Sequence, residues 1–184
     1  MTRRITLTLA LTLLTALAGC TPGGQETPAP ETTVYTPVPS PTPSWSAEEQ
    51  GAIDAIQKYL TVWTSIGQDL VGSDWDDIHD VAADPAANDS IDTWSLWAEK
   101  GWHLVGSPVF EVDRVAEGAT DYQGTIYHVH GCYISVDAHL VDQDGATVVK
   151  QGADRSTANY LVLHMTNPAD NYYVLEDVLE GNQC

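Results

Sequence analysis

His128 and His130 stand two residues apart in a stretch rich in β-branched and aromatic residues, so a strand there carries both imidazoles on one face. Neutral imidazoles at that spacing can chelate Zn²⁺, with a third ligand drawn from His139, His164 or a carboxylate. The pair alone is not a zinc site, and Cys132 falls on the same face, so no metal or other cofactor is expected. His164, Asp137 and Asp177 lie in other β-rich segments and are the candidates for acid–base chemistry. A useful base among them needs burial to lift its pKa towards neutrality. Trp97 and Tyr127 are the aromatic candidates for a binding surface. Trp63, Trp75 and Trp94 recur at helical spacing and read as core, whereas Trp97 lies off its stripe. There is no Gly-rich phosphate loop after a strand, no Gly-x-Ser-x-Gly elbow and no EF-hand loop.

The elements that position these residues follow from periodicity. Ser46 and Glu49 form a capping box, and Ile53, Ile56, Leu60, Trp63 and Ile66 continue as a helical stripe, with Gly67 as a stop. Ser73 with Asp76 marks a second helix start, carrying Trp75 and Ile78. Asp74, Asp76, Asp77 and Asp80 lie around that start, where negative charge complements the helix dipole without calcium. Asp84-Pro85 reads as the cap and first position of a third helix, with Ala87, Ile91, Trp94 and Ala98 as its stripe and Gly101 as its end. Beyond Gly101 the period changes to two. Residues 104–115, with Pro108 at an edge or bulge, then 122–141, 147–150, 157–165 and 172–179 read as strands. Asp144-Gly145 signals a hairpin, and Asn167-Pro168 begins a turn. Helices followed by a strand meander predict an α+β domain, with three N-terminal helices packed on an antiparallel sheet of about four to six strands.

The chain has 184 residues and a formal charge of -19, from 26 acidic against 7 basic residues. Phosphate backbones and anionic lipid headgroups both repel such a polyanion, so nucleic acid is excluded as a partner and membrane contact requires a covalent anchor. Arg3 and Arg4 precede an apolar stretch, residues 5–18, too short to span a bilayer and suited to a signal h-region. It ends in Leu17-Ala18-Gly19-Cys20, which resembles the lipobox of bacterial lipoproteins. That resemblance implies that residues 1–19 are a cleaved signal peptide, that the Cys20 thiol carries a diacylglycerol, and that the protein is anchored at the extracytoplasmic face of the cell membrane. Residues 20–45 then read as the lipidated cysteine and a linker: Pro22, Pro28, Pro30, Pro37, Pro39, Pro41 and Pro43 lie there among Thr, Gly and Ser, a composition that cannot bury a core. The domain occupies 46–184.

The order of elements in 46–184, the Ala98-Glu99-Lys100-Gly101-Trp102 exit from helix to strand, Gly131-Cys132 on a central strand, the hairpin at 142–145 and the terminal Cys184 resemble actinobacterial lipoproteins with an NTF2-like (SnoaL-like, cone-fold) domain. The resemblance implies a strongly bent sheet enclosing a cone. It implies a His or carboxylate in that cone wherever such a domain is an enzyme, and pairing through the open sheet face where it forms a homodimer. It brings no catalytic pattern with it. With Cys20 assigned to lipid, Cys132 and Cys184 are an even pair in an oxidising compartment and are expected to form a disulfide. An anchor, a spacer and a closed domain point to a module that binds a protein partner or a small hydrophobic ligand. An acid–base enzyme and an envelope assembly protein are the alternatives.

Overall fold

A computed structural model describes residues 44–121, 123–149, 154–166, 170–181 and 183–184. The expected signal peptide, Cys20, most of the expected linker, the end of the expected 147–150 strand and the expected turn at Asn167-Pro168 lie outside these residues. The chain divides after Pro41, and the described residues belong to the second unit.

Helix α1, Ala47–Gln68, begins as its capping box predicts: the Glu49 amide donates to Ser46 Oγ at 3.2 Å, and the Ser46 amide donates to Glu49 Oε2 at 2.7 Å. The helix ends at Gln68, one residue beyond the expected stop at Gly67. Gly67 is buried, and a Cβ there would meet the Trp97 ring at 3.2 Å, so this glycine admits the indole. The second helix is a short 3₁₀ segment, Trp75–Asp80, capped by Asp74 rather than Ser73. Helix α2, Ala86–Lys100, makes no side-chain cap with Asp84, and closes on left-handed Gly101, whose amide bonds the Ala98 carbonyl. Its buried stripe is Ala87, Ser90, Trp94 and Trp97, while Ala98 is exposed. Steps of three and four residues fit either stripe, and docking against Trp63 and Gly67 chose the one that includes Trp97.

Among the described residues seven strands follow: β1 His103–Val105, β2 Val109–Thr120, β3 Thr125–Ile134, β4 His139–Val141, β5 Thr147–Val149, β6 Arg155–Met165 and β7 Asn171–Leu179. They form two antiparallel sheets, β2-β3-β6-β7 and β1-β4-β5. The fold is α+β, as expected, with more strands than expected. Pro108 separates β1 from β2, and the 122–141 stretch breaks at 135–138, where the chain passes from the larger sheet to the smaller.

The helices cover one face of the larger sheet. On β3 that face carries Tyr127, Val129, Gly131 and Tyr133, and on β6 Ala158, Tyr160, Val162 and His164, paired in register. Gly131 makes room for the Phe110 ring, which sits 4.8 Å from Tyr160. On β7, Val174 pairs with Val162 and Glu176 with Leu161, leaving Leu175 as an extra residue. This bulge reverses the parity of the strand, so Tyr172 and Val174 face the helices before it and Asp177, opposite Tyr160, faces them after it.

Candidate functional site

Three stretches of chain meet around a cleft of about 470 Å³. From α1 come Gly51, Asp54, Ala55 and Lys58, spaced so that they share one helical face. Asp80 and Val81 come from the end of the 3₁₀ segment. They are held in place because 81–83 dock along β7: Val174 donates to the Val81 carbonyl at 3.0 Å, and Ala83 donates to the Val174 carbonyl at 2.9 Å. The third wall is Asp170 with the first residues of β7, Asn171 to Tyr173.

Tyr172 is the most tightly positioned of these side chains. His164 stacks on its ring at 4.0 Å between centroids and 5° between planes. A Cβ at Gly51 would lie 2.7 Å from Tyr172 Cε2, so a glycine inside α1 is what lets the ring reach the helix. His164 is buried, and its Nε2 is hydrogen-bonded to the exposed carboxylate of Asp170. Tyr127 lies on the other side of His164 at 6.4 Å. Burial, with the Asp170 charge nearby, pushes the Tyr172 hydroxyl above its usual pKa.

A second polar cluster lies further along the same sheet face. The Tyr59 hydroxyl bonds Asp177 Oδ2 at 3.0 Å and Ser90 Oγ at 3.1 Å, and its ring meets Tyr160 edge-on at 6.4 Å. Asp177 is exposed as a residue, but its carboxyl end turns in onto Tyr59. Burial among the tyrosines pushes that carboxyl up to about 6, against the opposing pull of the Tyr59 hydrogen bond. Burial raises the Tyr133 hydroxyl to about 12, and burial with the Asp177 charge nearby also pushes the Tyr59 and Tyr160 hydroxyls above their usual pKa. The space between helices and sheet is filled here by Ile56, Tyr59, Trp94, Phe110 and Tyr160, all buried.

The structure brings together two of the sequence candidates, His164 and Tyr127, and separates the others. Asp137 is not a strand residue; it is exposed in the turn between β3 and β4. His128 and His130 share the outer face of β3, as their spacing predicts. His164 faces the other way and His139 belongs to the other sheet, so neither completes a ligand set. His130 Nδ1 instead sits 3.5 Å from Asp113 Oδ2. Among the described residues no three His, Cys, Asp or Glu side chains are placed to hold a metal ion. Trp97 is buried, 5.4 Å from Trp63 at a steep angle, and offers nothing to a partner. Cys132 and Cys184 are joined by a disulfide on the outer face of the sheet. Asp54, Lys58, Asp80 and Tyr172 carry no sequence motif. The one local signal is Gly51, a glycine interrupting an otherwise strong helix.

Helices on one face of an antiparallel sheet, with a cleft where a helix meets the edge strand, define a small α+β domain with a surface site. No family model matches the sequence, and no curated protein matches it. A solved structure, the intermembrane space region of the chloroplast protein ARC6, is similar in fold, with a TM-score of 0.51 at 15% identity, covering 74% of this chain and 98% of that one.

Proposed function

We propose that the chain is an exported lipoprotein, anchored through Cys20 at the extracytoplasmic face of the cell membrane, whose domain binds a ligand or partner at the cleft between α1 and β7. The leader and lipobox residues support the anchoring. The observation that carries the binding reading is Tyr172, held between His164 and Gly51 as a rigid cleft wall while aromatic side chains occupy the domain interior. The NTF2-like reading of the fold draws on helices preceding a strand meander, and on the register shifts in the larger sheet, each of which bends a strand.

Capture from the native envelope tests the binding reading. The wild-type chain retains a component that Tyr172→Ala releases, with both proteins equally folded by circular dichroism. Identical capture by the two proteins removes the cleft as the site. A second reading, an acid–base enzyme, draws on the His164–Asp170 pair at the edge of the same cleft. It requires a turnover that His164→Gln lowers through kcat at saturating substrate, as loss of a general base does, rather than through KM alone.

A further inference from the structure

We infer that a neutral saccharide chain binds in a second groove, along a neighbouring face of α1, with one sugar ring laid on Trp102. The groove lies apart from the α1–β7 cleft and does not rest on the binding reading of it. Gln57, Thr61, Thr64 and Gln68 recur at steps of four, three and four, so they form one row on the helix. With Ser107 of the β1–β2 loop they line a hollow of about 260 Å³. Gln68 also lines a second hollow, of about 370 Å³, whose walls include Trp102, His103 and Gln143. The two hollows meet at Gln68, and the row along α1 spans ~16 Å of helix.

Charge selects the ligand class. The chain carries 26 acidic and 7 basic residues, yet no charged side chain lines the first hollow. A cation finds no counter-charge there, and the field of the whole chain repels an anion. In the second hollow Asp69 is already engaged, accepting from the Gly72 amide at 2.9 Å. A purely apolar ligand would strip water from a row of amides and hydroxyls without replacing its hydrogen bonds. A sugar replaces them, since each ring carries several hydroxyls that both donate and accept.

The polar atoms are largely fixed in advance. Gln57 Nε2 donates to the Phe110 carbonyl at 3.3 Å and Gln68 Nε2 to the Gly106 carbonyl at 2.7 Å, so each amide presents its oxygen in one orientation. Thr61 Oγ1 donates to the Gln57 carbonyl at 2.7 Å and remains an acceptor. Thr64 is the group left over. It is 6% exposed, its hydroxyl has no partner among the described residues, and that oxygen is not sealed from solvent. A nearly buried hydroxyl costs stability until a partner is supplied, and this one opens on the groove. Trp102 is half-buried, with its amide donating to the Trp97 carbonyl at 2.8 Å, so its indole is held with part of its surface bare. The polarised C–H bonds on one face of a sugar ring suit the electron-rich face of an indole. Gly101, left-handed at φ 69°, leaves room beside it for the Gln143 amide.

Cellohexaose, maltohexaose and N-acetylchitohexaose test this, each titrated calorimetrically into the full chain in a detergent without a sugar headgroup. Saturable binding of at least one is expected, and binding of none overturns the inference. Trp102→Ala weakens binding at least about tenfold, as loss of a stacking surface does. Thr64→Val nearly keeps the shape and removes the hydroxyl. It weakens binding at least about threefold without lowering the melting temperature. Thr93→Val, the same exchange on α2 away from both hollows, leaves binding unchanged. Equal binding by Thr64→Val and wild type overturns the inference, and this comparison decides alone if Trp102→Ala fails to fold. Hexagalacturonate, a chain of the same length with a carboxylate on every ring, is expected not to bind. Equal affinity for it overturns the choice of a neutral ligand.

Discussion

Asp177 owes its chemistry to one inserted residue. The Leu175 bulge turns its carboxyl onto the Tyr59 hydroxyl, and burial lifts its pKa to about 6 from an ordinary carboxylate value. A carboxyl whose folded pKa is raised binds more protons in the native state than in the unfolded one. Its contribution therefore favours folding below the unfolded pKa and is lost as pH rises to about 6. Asp177→Asn keeps an acceptor for Tyr59 and removes the titration. Its stability relative to wild type is expected to rise between about pH 4 and 6.5 and then level off, as read by urea denaturation across pH. A constant difference throughout would mean that the carboxyl titrates normally. Gly51→Ala sets two effects against each other. The helix gains about 1 kcal/mol of propensity, and the new methyl forces the Tyr172 ring off its seat at a cost of about 1–3 kcal/mol. The crowding is expected to win by about 1 kcal/mol, with loss of the ring-current shifts that Tyr172 imposes on His164.

At the scale of elements, α1 carries the longest chain of consequence, because it supplies one wall of the cleft and the Tyr59 hydroxyl. Its reciprocal cap predicts that Ser46→Ala destabilises the domain by about 1 kcal/mol. The shift in denaturation midpoint comes without a change in slope, since fraying the first turn exposes little surface. Helix α2 contributes less to the cleft and more to rigidity. Trp94 and Trp97 lock it against Trp63 at 6.4 and 5.4 Å between centroids. Trp97→Ala is expected to cost about 3–5 kcal/mol, as deletion of a buried indole does. Trp97 at a partner-facing surface would cost affinity and leave stability alone, so thermal melting separates the two roles. The short 3₁₀ segment acts through its exit, since the backbone pairing of 81–83 with Val174 covers the outer edge of β7 and carries Asp80 to the cleft.

For the molecule as a whole, the Cys132–Cys184 bridge ties the C-terminus to a central strand across a separation of 52 residues. On the chain-entropy model a loop of that length stabilises by about 4 kcal/mol, so reduction or Cys184→Ala is expected to lower the denaturation midpoint accordingly. The anchoring proposal makes a separate demand. Cys20→Ser is expected to move the protein from the membrane fraction to the soluble extracytoplasmic one without altering its melting temperature. Retention in the membrane would remove the lipid from the account.

Local chemistry alone determined much of this protein. The Ser46–Glu49 cap, the stripe of α1, the left-handed end of α2 at Gly101 and the change from helical to strand period are interactions between near neighbours, and they stand in the structure where the residues place them. His128 and His130 share a face for the same reason, since alternation along a strand is local. Only the tertiary structure decided which stripe of α2 is buried, because helical spacing accommodates Ala98 or Trp97 and the partner surface chooses between them. It alone decided that Asp177 faces the helices, because a bulge inverts parity with no residue-level signature. It alone assembled the cleft, whose carboxylates are separated by up to 116 positions and meet through packing that no spacing encodes.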